Sequence, residues 1–415
     1  MPGLRDRDLG PDWDEFCGGR LRNPYPVLAE LRATDPVHWS ERLDGWVVTR
    51  YDDVLAGLAD PRLGNDRIAA YMGALTEGNR TAYHELGDHV AGWLGFTDPP
   101  KHTRLRGLVR EFFTPALATR LRPTIENIVA HQIDGMPAAP EPVDLVSSLA
   151  FPLPAAIICE VLGIEADRRD EMKVLTDAIV PFTGNIGPSL NDVAGPAHEA
   201  IMELVPYFRG VVAQRLREPR EDLITRLAFL DRENALRDDE ILSLVVFTFV
   251  AGFETTTSGI ANALMLLLSD QSERERLIRE PGIAPSMVEE TLRAESPIQM
   301  SVRVARESLE IGTREIVAGS TVLLLNGAAN RDPAQFGHPD HLDIGRTPNR
   351  HLAFGWASHF CLGAPLARLE IQVAATALFS RFPEAHLAEI VSGWVPNMSI
   401  RCPTNVRVIL GPPGG

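Results

Sequence analysis

The stretch FGWASHFCLG, Phe354–Gly363, sets Cys361 in a turn just before the helical run APLARLEIQVAATALF. Backbone N–H groups at a helix start lack partners within the helix, so those after Cys361 can stabilise a thiolate, the form of sulfur that ligates metals. Gly355 and Gly363 permit special backbone angles and the close approach of a flat partner. A buried structural cysteine is the plainer alternative, since unpaired cysteine is among the most buried residue types. A second group is AGFETTT, Ala251–Thr257, where Glu254 stands beside Thr255 inside a long apolar run. An acid next to an alcohol can pass protons to a reacting atom. The same threonine can instead bond the carbonyl four residues back and merely bend a buried helix.

Three further groups carry charge. DPPKHTRLRGLV puts His102 and Arg106 at i, i+4 on one helix face, fit for a solvated surface or for an anion. Arg303, in SPIQMSVRVA, reads in isolation as a solvent-facing strand residue as readily as a ligand for a carboxylate. EETLR places Glu290 and Arg293 at i, i+3, a spacing that chance produces constantly and that is worth little at a surface.

Taken in order, these segments resemble the cytochrome P-450 family, and the decapeptide resembles its haem-binding signature. The resemblance runs over nearly the whole chain, including NPYPVLAELR, GWVVTRYDDV and NRDPAQF. It implies haem b held without a covalent link, with Cys361 as axial thiolate. Such ligation pushes electron density to the iron and favours O–O cleavage. By the same resemblance Phe354 packs on the sulfur side, and Leu362 and Gly363 lie against the haem with Ala251 and Gly252, whose small size admits a flat group. His102, Arg106, Arg303 and His359 face the propionates, while Glu254 and Thr255 deliver protons. Glu290 and Arg293 become a buried anchor, whose usual third member is an arginine of the following loop. PDHLD offers His341 at that place. A second departure is Ala357, where the family usually has glycine, which implies a slightly altered bulge.

These side chains need a scaffold. Ile241 to Asp270 reads as one long helix through the centre of the protein, apolar nearly all round because it is buried nearly all round. Thirty residues span about 45 Å. A membrane span is disfavoured, because a carboxylate at a bilayer centre costs roughly 2.5–3.5 kcal/mol even on insertion scales. Asp238 or Asp239 can cap the start. Helical periodicity also marks Pro99–Phe112, Pro115–Asp134, Ser147–Leu162, Gly195–Arg217, Pro285–Glu295 and Leu362–Phe382. Strand signals are short: Trp46–Arg50, Glu310–Gly312, Ser320–Leu325 and Asn405–Leu410. Between Gly327 and Ala353 runs a long stretch rich in Pro, Asp, Asn and Gly, a length of loop that is uncommon unless functional. The fold class is therefore mainly α with small β-sheets, and the resemblance makes it the cytochrome P-450 fold.

At 415 residues, length alone suggests two domains. With no Ser- or Gly-rich linker, the expectation is one domain, 1–415, with no fused reductase or ferredoxin. The net charge of −16 repels phosphate backbones and argues against nucleic acid. Four dispersed cysteines, with no C-x-x-C pair, leave zinc ribbons and covalent haem attachment unsupported. The charged N-terminus has no apolar core, so the chain reads as cytoplasmic and free of the membrane.

The implied reaction inserts one atom of O2 into a small organic substrate, in secondary-metabolite tailoring or catabolism. Electrons would come from a separate ferredoxin and ferredoxin reductase, docking near Arg104, Arg110, Arg350 and Arg368. Substrate contacts are expected from 67–93, 178–197, 247–254, 297–302 and the turn at 401–405. Two rival readings are a peroxide-dependent peroxygenase and a haem protein that senses or carries a ligand without catalysis. Neither needs the Glu254–Thr255 pair.

Overall fold

The computed structural model describes residues 5–18, 22–137, 140–165, 168–234 and 236–414. Eight helices position the chemistry: α1 Lys101–Arg110, α2 Pro115–Asp134, α3 Pro152–Leu162, α4 Arg169–Gly184, α5 Leu190–Arg217, α6 Asp238–Ser269, α7 Ala284–Ala294 and α8 Ala364–Arg381. The central helix is α6, packed against α3, α5, α7 and α8. It is long and apolar enough to cross a membrane by length and composition. Its apolar faces are instead spent on those helices, with Leu244, Val245, Val246, Ile260 and Leu264 fully buried. Burying one such side chain is worth about 1.5–3 kcal/mol.

The cap of α6 differs from expectation. The residue before it is Arg237, whose backbone N–H donates to the Glu240 carboxylate at 3.2 Å. Asp238 and Asp239 fall inside the first turn, where their charge still favours the positive end of the helix. The run expected as one helix from Ser147 is broken: a π-turn, Val146–Ala150, precedes α3. Pro152 and Pro154 lack the N–H groups that would continue a regular ladder from upstream. Helix α4 was not anticipated.

A five-stranded sheet flanks the helices: β1 Val37–Ser40, β2 Gly45–Val48, β3 Leu63–Gly64, β4 Ser301–Ala305 and β5 Thr321–Leu324, in spatial order β1-β2-β5-β4-β3. Strands β2 and β5 pair in parallel, Gly45 opposite Thr321. Strand β4 is antiparallel to both neighbours, so Arg303 lies opposite Val322, and Val304 opposite Gly64. Arg303 thus sits inside a sheet rather than at a solvated edge, and its side chain is buried. A small sheet joins Val143–Asp144, Arg407–Ile409 and His386–Leu387, and a hairpin pairs Leu309–Ile311 with Arg314–Ile316.

The anchor is built in α7. Glu290 and Arg293 are fully buried and bidentate, Nε to Oε2 at 2.8 Å and Nη2 to Oε1 at 2.9 Å. The third member expected at His341 is a different residue. His341 is exposed and supplies only its backbone carbonyl, to Arg293 at 3.2 Å and to Arg346 at 3.3 Å. Arg346 takes the place, bonding both Glu290 oxygens, and Asn349 adds a bond at 3.0 Å. Three side chains and the Asp343 backbone N–H, at 3.0 Å, satisfy one buried carboxylate, the condition under which a buried ion pair holds rather than costs stability.

Candidate active site

A cavity of about 440 Å³ lies between α6 and the loop before α8. Cys361 lines it, so its side chain is accessible from the cavity although protein surrounds it. Burial raises its thiol pKa; backbone N–H groups of Gly363 and Ala364 and the charges of Arg106 and Arg368 pull the other way. The Cys361 N–H donates to the Phe354 carbonyl at 2.9 Å, which closes the loop 354–361 on itself. Within it Gly355 has φ +70 and Ala357 φ +53. The family's glycine position has therefore kept its left-handed backbone and lost its glycine.

Phe354 lies under the guanidinium of Arg368, 4.5 Å from ring centre to Cζ. Arg368 in turn grips Glu289 with both ends of its fork, at 2.6 and 2.9 Å, and His351 bonds the same carboxylate at 3.2 Å. Burial raises the Glu289 pKa, but these two partners overcome it and bring it down to about 2. The loop is thereby fastened to α7.

Four groups converge on the cavity: His102 and Arg106 from α1, Arg303 from β4 and His359 from the cysteine loop. The two imidazoles stack with centroids 3.9 Å apart. Neither ring nitrogen of buried His102 has a partner among the described residues. Burial, then the neighbouring Arg106, lowers the His102 pKa. Burial, then His102 and Arg303, pushes His359 down to about 3, and burial followed by Arg67 brings Arg303 down to about 9. The nearby acid is Asp98, which already accepts from the N–H groups of Asn65 and Asp66 and pairs with Arg306. Buried donors left this way are costly unless a ligand completes them. Two carboxylates on a flat ring would complete them, so the residues present fit a haem with its two propionates.

Above the cavity, α6 contributes Ala251, Gly252, Glu254 and Thr255. A Cβ added at Gly252 would stand 2.8 Å from Ile158 Cδ1, so its smallness also serves the packing of α3 on α6. Burial, then repulsion from Asp177, raises the Glu254 pKa to about 7, eased only partly by Lys173. The Thr255 hydroxyl donates to the Ala251 carbonyl at 2.9 Å, leaving its oxygen lone pairs toward other donors. Trp93, Thr183, Phe247, Ile298 and Met300 line the rest. The expected contact at 401–405 is displaced to Ser399 and Ile400, because Arg401 turns away to pair with Glu295 and stack on Trp394. Leu362 and Gly363 border the cavity beside the sulfur. Sequence reasoning did not find the contribution of α3, Ile157 and Ile158, whose apolar pattern is that of any core helix.

The family model described as Cytochrome P450 matches residues 162–281 and 283–388. The chain is 38% identical over 395 residues to 6-deoxyerythronolide B hydroxylase of Saccharopolyspora erythraea, covering 93% of each. It is 35% identical over 374 residues to the polyketide biosynthesis cytochrome P450 PksS of Bacillus subtilis, covering 88% of this chain and 90% of that one. Among solved structures it is similar to P450BioI in complex with a hexadec-9Z-enoic acid-ligated acyl carrier protein, with TM-score 0.86, 33% identity, and coverage of 94% of this chain and 99% of that one.

Proposed function

The chain belongs to the cytochrome P450 family and is a haem-thiolate monooxygenase, and from that premise we propose that Cys361 is its axial ligand, in a single domain that receives electrons from a separate ferredoxin and its reductase. The observation that carries the assignment is the convergence of His102, Arg106, Arg303 and His359, with both ring nitrogens of His102 unpartnered among the described residues, on the cavity that Cys361 lines.

When bound there, the haem activates dioxygen so that one oxygen atom enters an organic substrate and the other leaves as water. His102 and Arg106 hold one propionate, and Arg303 and His359 the other. The N–H groups of Gly363 and Ala364 favour the anionic form of the sulfur against the opposing effect of burial. Glu254, raised to about 7, holds a proton that it can release near neutral pH, the condition for an efficient acid. The Thr255 hydroxyl, one residue on, donates to the Ala251 carbonyl and keeps its lone pairs open to a donor in the cavity.

The substrate is an apolar small molecule of secondary metabolism. Phe247, Ile298, Met300 and Ile400 supply the surface it buries, and the relatives named for a polyketide pathway and for 6-deoxyerythronolide B hydroxylation support this class.

For the electron donor, the four arginines expected at the docking face divide. Arg104 pairs with Glu240 and Arg368 with Glu289, while Arg110 and Arg350 are exposed and make no ion pair with another described residue. On the cysteine loop the exposed rings of Trp356 and Phe360 offer an apolar centre. The assignment of the ligand is tested by reducing the protein under carbon monoxide. Wild type should give the thiolate-type band and Cys361→Ser should not. An unchanged spectrum in the variant removes Cys361 from the role.

A further inference from the structure

One cation at the cavity is left over. Arg67 follows β3 and lines the cavity, yet His102, Arg106, Arg303 and His359 already account for two propionates. Its guanidinium is held flat: Cζ stands 3.7 Å above the Phe96 ring, Nε lies 3.3 Å from the Tyr71 hydroxyl, and Nη1 lies 3.2 and 3.3 Å from the carbonyl oxygens of Asn65 and Gly95. These contacts fix the plane of the fork, and no described carboxylate pairs with it. The register that sets Gly64 opposite Val304 brings this segment beside Arg303, whose pKa is depressed first by burial and then by the charge of Arg67. Two guanidinium groups thus repel each other at one side of the cavity, while Asp98 is committed to Arg306. A partly buried, immobilised cation that faces such repulsion and has only neutral partners is suited to completion by an anion. Planar guanidinium matches a carboxylate, which it can grip with two parallel bonds.

We propose that Arg67 is a carboxylate-binding residue of the cavity, completing the site either with an acidic group of the substrate or with the propionate held by Arg303. The proposal rests on the haem-thiolate reading above. An acidic substrate gripped here would place its apolar chain along Trp93, Phe247 and Ile298, which line the same cavity.

The test compares wild type, Arg67→Gln and Arg67→Lys as holoenzymes. The first measurement is the rate of haem transfer to apomyoglobin; the second is ferric Soret titration with dodecanoic acid and with dodecanol. If the acid group comes from substrate, Arg67→Gln weakens dodecanoic acid by about tenfold or more, the loss of one charge-assisted bond. Dodecanol binding and haem transfer then stay unchanged, and Arg67→Lys restores the acid in part. If the propionate is the partner, Arg67→Gln speeds haem transfer several-fold and alters both ligands alike. Haem transfer unchanged, together with no difference between acid and alcohol caused by the substitution, overturns the proposal. All three proteins should retain the thiolate carbon monoxide band; its absence from wild type would sink the underlying reading instead.

Discussion

The Nε of Arg346 stands 3.1 and 3.0 Å from the two carboxylate oxygens of Glu290, tying the loop after β5 to the helix α7. Glu290 is fully buried and also holds Arg293, so both arginines depend on one carboxylate. Replacing Glu290 with Gln should cost about 3–5 kcal/mol, because it leaves buried guanidinium uncompensated. Arg346→Ala should lose a large part of the same amount. His341→Ala, which spares the carbonyl in use, should stay within about 0.5 kcal/mol of wild type. Thermal unfolding of the holoenzymes checks the ranking, and a costly His341→Ala would contradict it.

Glu254 has a folded pKa of about 7 against an ordinary 4.5. Between those values the unfolded chain releases a proton that the folded protein keeps. Stability contributed by neutral Glu254 is thus complete below about 4.5, falls as pH rises and is lost above about 7. Turnover should follow the same proton, declining as pH passes through about 7. Glu254→Gln should turn over more slowly and flatten that decline. A wild-type decline that persists unchanged in the variant would assign it to another group.

Ala357 holds φ +53, a backbone that costs a residue with a Cβ about 1–2 kcal/mol. Ala357→Gly should relieve most of this and lose part of the gain to the greater freedom of the unfolded chain. A modest rise in melting temperature with an unchanged spectrum is expected. Destabilisation would show that the loop is not strained there.

Gly252 faces Ile158 so closely that a methyl group there would have to displace the Cδ1 end of that side chain. Gly252→Ala should cost about 1–3 kcal/mol by overpacking α3 against α6. Ile158→Val, which removes the clashing Cδ1, should restore part of it in the double variant. Full additivity of the two losses would refute the contact.

Arg110→Glu with Arg350→Glu should weaken ferredoxin-supported turnover and its salt dependence while leaving peroxide-supported turnover and melting temperature in place. Arg368→Glu should behave differently, because it strips Glu289 of a bidentate partner inside the fold. Loss of peroxide-supported turnover in the Arg110/Arg350 variant would point to structural damage instead of docking.

The cysteine loop and the central helix stood out in the local sequence, whereas His102, Arg106 and Arg303 read in isolation as readily as surface groups and took their role from the resemblance. Cys361 before a helix and Glu254 inside an apolar run are anomalies that sequence alone exposes. Arg346 was not legible, since it reaches Glu290 from an irregular loop whose course no periodicity encodes. Gly252 shows a second kind of gap: its small size was read as admitting a flat group, and its close packing against Ile158 of α3 was not foreseen. The two-residue strand Leu63–Gly64 is too short for alternation to register, yet it brings Arg67 beside Arg303.

The parallel pairing of β2 with β5 joins Gly45 to Thr321. Strand β4, with Arg303, is therefore seated only after most of the chain has been synthesised, and Cys361 emerges later still. Contacts so distant in sequence slow assembly. With Cys361 as the proposed ligand, capture of the cofactor has to follow the synthesis of most of the chain.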